Sequence, residues 1–589
     1  MSTSAADGNN VSRAEWGSDV VVEMMQAYGI KYAPTNLGAT FRGLLDSIIN
    51  FGNNEMPEVI ECLHEEIAVS IAHGYAKVTE TPLVALVHNV VGTLHATMAI
   101  YDAYAAKAPV IIMSGTGPMS ATKRRPRIDW VHTALVQGNL VRDYVKWDDQ
   151  PHDPDSFPES LIRAYRIAMT EPKGPVYIAL DAAWQEARMT EKINLPDISK
   201  YEVPTAIQGD PGAIAKAAQM LADAESPLII AGRVGKDLGA VQSLIELAEA
   251  GSIPVIDGGA AFNFPNTHPL DATGTDLLGR SDLVVLLDVD HLETALVEWN
   301  RYTRETWSKT QPGAKVVNIG TSDIWIRSTI TDFGRIFPTD LYITADTSLA
   351  LPELTKHLRQ AMSTKADSAS VLSARMQRCQ EASAAAKAKF EARAKSEFDA
   401  RPITYSRMAQ ELWNVIKDEP GWIAASGAES FRRSWVMDRP GCVAGGGGAG
   451  ALGTGLPKAV GVGLAAKEQG GYAVALGGDG DLLYVPSTIW TAVHHNIPLL
   501  MLIRDNGGYQ GEGGHVTWTS EFRDRSTSRK HIATDIQNPR IDIAAIAKAQ
   551  GAYAEGPIED PNELGPAIAR AFKVMKENST MALITVRSQ

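Results

Sequence analysis

Cysteine is scarce in this chain. Of 589 residues three are cysteine, Cys62, Cys379 and Cys442, far apart and without the CxxC or paired spacing of a metal knuckle. An odd and scattered set argues against a disulfide framework, and a reducing, cytoplasmic setting is the expectation. Long apolar runs are missing as well. No stretch approaches the roughly 20 residues that a membrane-crossing helix needs, and the opening MSTSAADGNNVSRAEWG lacks the apolar centre of a secretory leader. That opening reads as a short polar lead, and no membrane partner is expected. Positive charge is in deficit. With 55 Lys and Arg against 69 Asp and Glu, the formal net charge is −14, which disfavours nucleic acid and anionic lipid alike as partners.

What the chain does have is material for several cores. Its composition, 44% hydrophobic and 21% charged, is that of an ordinary globular protein, and its length exceeds what one core organises. From Ser18 onward, helical patterns such as SDVVVEMMQAYG alternate with short apolar runs, PLVALVH, PVIIMSG and PVYIALD. That is the pattern of a parallel sheet wrapped by helices. The polar stretch TEKINLPDISKYEVP breaks the alternation, which then resumes through SPLIIAGR, IPVIDGG, DLVVLLDV and AKVVNIG. A third round, GWIAAS, YAVALG, PLLMLI and ALITV, follows an Ala-rich charged segment that reads as a bridging surface helix. The expected fold is α/β, three successive doubly wound parallel-sheet domains over 1–190, 205–365 and 401–589, with a helical linker at 366–400.

Chemistry concentrates in the third round. Gly478-Asp479-Gly480 ends a predicted buried strand, so Asp479 emerges at the carboxyl edge of a sheet, where open α/β folds bind ligands. The glycines let the backbone turn and approach a phosphate. LLYVPSTIWTAVHHN reads as one helix, and the apolar run IPLLMLI then delivers Asn506, 27 positions after Asp479 (506 minus 479). Asp479, Asn506 and the carbonyl of Gly508 would supply three oxygens to a Mg2+ ion, leaving its other positions for diphosphate oxygens and water.

With this motif the sequence resembles the thiamine diphosphate enzymes that include acetolactate synthase, pyruvate decarboxylase and benzoylformate decarboxylase. The resemblance implies pyrimidine-binding, middle and diphosphate-binding domains in that order. It also implies thiamine diphosphate with Mg2+ as cofactors, a 2-oxo acid or related carbonyl substrate, and a homodimer or homotetramer with active sites between subunits. Gly478, Asp479, Gly480, Asp481, Asn506 and Gly508 fall on the diphosphate and metal segment, although Asp505 replaces the first Asn of the usual Asn-Asn pair. Asp481 brings an unusual carboxylate there. His64-Glu65-Glu66 before IAVSIAHGYAKVT resembles the family's HE segment, which makes Glu65 the glutamate that contacts the aminopyrimidine ring. Glu66 beside it reads as a solvated helix residue. GALGTGLP puts Leu452 beneath the bend of the cofactor, and Gly427 to Glu429 match a loop on the far side of the diphosphate.

On the substrate side His88 resembles a catalytic histidine of benzoylformate decarboxylase, and His132 falls near a substrate-pocket position. His95 stands where synthases often have Asn. Glu512, in a Gly-rich stretch read as a lid loop, follows Asn506 as in the NxGYxxE motif of pyruvate decarboxylase and is the candidate acid. The turn Asn36-Leu37-Gly38-Ala39-Thr40 lacks the serine that decarboxylases carry there, and the basic run Lys123-Arg124-Arg125-Pro126-Arg127 reads as a solvated loop. Gly232, Gly235 and Gly239 do not form GxGxxG, so FAD or ADP in the middle domain is unsupported. The implied activity is decarboxylation of a 2-oxo acid, releasing an aldehyde or transferring the acyl unit to a second carbonyl. The alternatives are a non-decarboxylating 2-hydroxyacyl-CoA or acyloin lyase and a noncatalytic cofactor-binding subunit.

Overall fold

A computed structural model describes residues 11–324, 335–427, 431–446 and 448–588. The chain divides into two units. One comprises Met1–Thr205, Gly447–Ala465 and Val485–His495; the other comprises Ala206–Gly446, Ala466–Tyr484 and Asn496–Gln589.

In the first unit six strands form a wholly parallel sheet: β1 Tyr32–Asn36, β2 Glu58–Glu61, β3 Val84–Val87, β4 Ile111–Thr116, β5 Asp148–Asp149 and β6 Val176–Asp181. Their order is β2-β1-β3-β4-β6-β5. Every residue of β3, β4 and β6 is buried. Continuous apolar runs rather than alternation are what a sheet covered on both faces requires.

The helix Glu65–Thr79 crosses the helix Gly455–Glu468 at two glycines. A Cβ on Gly74 would lie 2.0 Å from the Lys458 carbonyl, and one on Gly461 would lie 2.1 Å from the Ile71 carbonyl. Beside this crossing, Asp102 is a buried hub. Its carboxylate accepts from Lys458 Nζ at 2.9 Å and from the Ala449 amide at 2.9 Å, and His73 Nδ1 stands 3.3 Å away. Burial holds the His73 ring well below its ordinary 6.5, at about 4, although Asp102 pulls the other way. The sign of the pH effect follows. Between pH 6.5 and 4 the unfolded ring binds a proton that the native ring refuses, so stability falls with falling pH across that window and levels off below it. The loss is on the order of 3 kcal/mol. Urea midpoints measured from pH 7 to 4 are expected to decline steeply in the native sequence and less steeply in His73→Gln.

The second unit holds two further parallel sheets. The middle one contains β7 Pro227–Ala231, β8 Val255–Asp257 and β9 Leu283–Leu287; after the antiparallel hairpin β10 Val297–Trp299 and β11 Thr306–Ser308 it continues with β12 Lys315–Gly320 and β13 Leu341–Thr344. Its order is β13-β12-β9-β7-β8. The last sheet, β14 Trp422–Ala424, β15 Tyr472–Gly478, β16 Leu499–Asp505, β17 Tyr553–Ile558 and β18 Met581–Arg587, runs β14-β15-β16-β18-β17.

The Ala-rich segment forms a single helix, Ser368–Ser396. It is not merely a surface bridge, because Cys379 is buried in the middle core and Arg375 is almost wholly buried. The Arg375 guanidinium donates to the carbonyls of Leu221, Ala224 and Gly251, which close the helices Pro211–Asp223 and Leu238–Gly251. A cation at two helix C-termini meets both unpaired carbonyls and dipoles. No helix among the described residues is long and apolar enough to cross a membrane.

Candidate active site

In the first unit the candidate residues gather at the carboxyl edge of the sheet. Glu65 follows β2 and opens its helix behind His64, whose Nδ1 caps that helix by accepting from the Glu66 amide at 3.2 Å. Glu65 is buried, at 6% exposure, and its Oε2 lies 3.1 Å from His95 Nδ1 on the helix Val90–Ala105. Gly92, one turn earlier on that helix, makes the approach possible. A Cβ there would sit 2.7 Å from Glu65 Oε1 and 2.7 Å from His88 Cβ.

His88 follows β3 directly and meets His132 edge to face, with ring centroids 5.2 Å apart. Burial and the neighbouring His132 hold the His88 ring below its ordinary value, which favours the neutral form able to accept a proton. The turn after β1 contributes an absence of side chain. A Cβ on Gly38 would fall 1.9 Å from His88 Nε2. Leu452 lies in the turn before Gly455 and is 40% exposed. In the basic run, Arg124 donates to the carbonyls of Pro118 and Met119, and Arg125 pairs with buried Asp129 at 2.8 Å. Those two guanidiniums hold their own loop.

In the second unit the candidate metal segment lies at the carboxyl edge of the last sheet. β15 runs through Gly478, and Asp479 opens a four-residue helix, Asp479–Leu482, that also carries Asp481. The helix expected across LLYVPSTIWTAVHHN is therefore interrupted. It resumes only at Thr488–His494, because Pro486 cannot donate in a helix interior and restricts the residue before it. Asp479 is buried, and its two oxygens accept from the Gly480 amide at 2.8 Å and the Gly507 amide at 2.7 Å. Asn506 follows β16, and its Oδ1 accepts from the Gly508 amide at 3.2 Å.

Glu512 corrects an expectation. The Gly-rich stretch is a helix, Gln510–Phe522, rather than a lid loop, and Glu512 is exposed in its first turn. Three glycines weaken a helix without forbidding it. In the Gly427 to Glu429 loop, Ala428 and Glu429 lie outside the described residues.

These groups suit a divalent cation. Burial raises the Asp479 carboxyl above its ordinary range although the charge of Arg504 pulls the other way, and no Lys or Arg among the described residues contacts it as an ion pair. A buried carboxylate lacking a counter-charge is costly, and a hard ion held by Asp479, Asn506 Oδ1 and the Gly508 carbonyl would balance it. A Cβ on Gly478 would meet nothing within 4 Å, so the backbone entering Asp479 is open on that side.

Family models agree with this layout. The chain matches the thiamine pyrophosphate enzyme N-terminal TPP binding domain over residues 15–140, the central domain over 214–354 and the C-terminal TPP binding domain over 427–586. The chain belongs to the thiamine pyrophosphate, or thiamine diphosphate, enzyme family. It is 23% identical to a probable acetolactate synthase large subunit of Methanocaldococcus jannaschii, across 94% of this chain and 90% of that one. It is 25% identical to oxalyl-CoA decarboxylase of Escherichia coli K12, across 76% of each. Its fold matches benzoylformate decarboxylase from Polynucleobacter necessarius with a TM-score of 0.75 at 20% identity, covering 98% and 99% of the two chains. This is a thiamine diphosphate-dependent enzyme of the acetolactate synthase and decarboxylase family, with the three parallel-sheet domains expected.

Against the usual pattern of thiamine diphosphate enzymes, Asp505 has a structural reason. Its carboxylate receives Arg540 Nη2 and Arg587 Nη1, each at 2.7 Å, so the extra negative charge is neutralised locally. Asp505→Asn, which writes the usual Asn-Asn pair, is expected to destabilise the protein by about 2 kcal/mol, because it leaves two half-buried guanidiniums facing a neutral amide. Thermal melting of the variant without cofactor checks this.

Sequence reading missed several supports of the site. Gly38, Gly74 and Gly92 lay in or beside segments already singled out, but the close approaches they allow, like the Asp102 hub, depend on neighbours that only the fold brings together.

Proposed function

We propose that this enzyme uses thiamine diphosphate and Mg2+ to decarboxylate a 2-oxo acid, giving an aldehyde or passing the acyl unit to a second carbonyl. The observation that carries the proposal is Asp479, a buried carboxylate that no Lys or Arg among the described residues contacts as an ion pair, followed at the family's spacing by Asn506. Asp479, Asn506 and Gly508 would hold the metal, with Gly478, Gly480 and Asp481 beside the diphosphate and Leu452 under the bend of the cofactor. Bound thiamine diphosphate supplies the carbon nucleophile and the electron sink for breaking a C–C bond next to a carbonyl.

The chain's own residues supply proton control. Glu65, buried and with Oε1 over Gly92, is suited to exchange a proton with the aminopyrimidine ring. His88, kept neutral by burial, would take or give the substrate's proton, with His132 holding its edge. Glu512, in the exposed first turn of its helix, is the acid for product protonation if that helix closes over a bound substrate. Acetolactate synthase and benzoylformate decarboxylase among the similar proteins support a 2-oxo acid substrate. The retention of Arg124 and Arg125 in loop contacts argues against their greeting coenzyme A phosphates. A homodimer or homotetramer in the cytoplasm completes the proposal.

The test is competition between substrate classes. Incubated with thiamine diphosphate, Mg2+ and either a 2-oxo acid panel or a 2-hydroxyacyl thioester, the enzyme is expected to release carbon dioxide from an acid and leave the thioester intact. Cleavage of the thioester alone would replace decarboxylation by the lyase alternative.

A further inference from the structure

A buried carboxyl that hands over a proton must be resupplied from water. Glu65 is 7% exposed along its side chain, whereas His95, whose Nδ1 lies 3.1 Å from Glu65 Oε2, is 58% exposed. One imidazole therefore meets the carboxylate through Nδ1 while more than half of its side-chain surface is exposed. The ring is also held in place: it stacks on His64 with centroids 5.0 Å apart and planes 22° apart, and His64 is fixed in turn by the Glu66 amide. Gly92 keeps the opposite oxygen, Oε1, clear of side chain. The carboxylate thus has one oxygen directed to a relay and one left for a ligand.

We propose that His95 is the proton conduit of Glu65, a positioning residue that fixes Oε2 and carries protons between the buried carboxyl and water. The inference rests on the role proposed for Glu65 above. In the resting state Nδ1–H donates to the carboxylate. Delivery moves that proton from Nδ1 to Oε2 while Nε2 takes one from water, and return runs the same path backwards. One proton enters the ring as one leaves, and no electrons are exchanged. The ring resets its tautomer through water at its exposed edge.

The apoprotein gives the first readout. 15N NMR of labelled histidine is expected to find the His95 proton on Nδ1, and to find that preference lost in Glu65→Ala. Absence of the Nδ1–H form in the native sequence would overturn the inference. The second readout is exchange of the thiamine diphosphate C2 proton with deuterated water, followed by quenched 1H NMR in the presence of Mg2+. His95→Ala is expected to slow exchange on the order of 10-fold or more, with recovery on adding imidazole to the buffer. His95→Asn keeps a donor toward Oε2 but cannot relay, and is expected to be equally slow.

Wild-type exchange in His95→Asn, or slowing in His95→Ala that imidazole does not reverse, would reduce His95 to packing or a simple hydrogen bond and overturn the relay. Loss of exchange in Glu65→Ala with no change in either His95 variant would overturn the conduit alone. Unchanged exchange in Glu65→Ala would overturn the role of Glu65 itself.

Discussion

Replacing Asp479 by Asn is expected to weaken Mg2+-supported binding of thiamine diphosphate by at least about 100-fold, or about 3 kcal/mol. The substitution keeps the size of the side chain and one acceptor oxygen but removes the charge. Asp479 sits at the end of β15 with both oxygens steered by the amides of Gly480 and Gly507, so its remaining lone pairs are fixed in direction before any ion arrives. A carboxylate oriented in advance, in a dry setting, attracts a divalent cation far more strongly than an amide does. The apoprotein should tolerate the change. Loss of one acceptor for the two amides is offset by removal of a buried charge, and the melting temperature without cofactor is expected to move little. Isothermal titration with cofactor, with Mg2+ and with chelator, measures the effect. Affinity within threefold of the native enzyme would mean that the metal is held elsewhere.

Glu65→Gln is expected to act on rate instead. Glutamine fills the same space over Gly92 and still meets His95, but it cannot give or take a proton. Turnover is expected to fall by about 10²- to 10⁴-fold, the usual scale for a lost general acid or base, while cofactor affinity changes by less than about threefold. Steady-state kinetics and titration on the same preparation separate the two effects. A matched loss of affinity and rate would make Glu65 a binding residue only.

The fold was legible because its central strands are buried on both faces and so read as apolar runs, as in VALV before His88 and LLMLI in the strand before Asn506. The places of Asp479 and Asn506 at strand ends were legible for a related reason, since each follows a strand of the same sheet and the spacing between them is local to one strand-helix-strand unit. What the sequence concealed is tertiary. The approach of His95 to Glu65 spans 30 residues, and the room that Gly92 leaves for it shows only once Glu65 is brought against that helix. The pairing of Asp505 with Arg540 and Arg587 likewise spans 35 and 82 residues, so its departure from the usual Asn looked unexplained until the two guanidiniums were seen beside it. The helix over Gln510–Phe522 was hidden by Gly511, Gly513 and Gly514, whose low helix propensity favours a loop.

The most direct test of the proposed chemistry is 13C NMR of the enzyme with thiamine diphosphate, Mg2+ and a panel of 2-oxo acids labelled at the carboxyl carbon. Labelled carbon dioxide and bicarbonate from at least one acid, dependent on both cofactors and lost in Glu65→Gln, is the predicted result, and the companion aldehyde or acyloin would name the donor. No labelled carbon dioxide from any acid, under conditions where titration shows the cofactor bound, would contradict it.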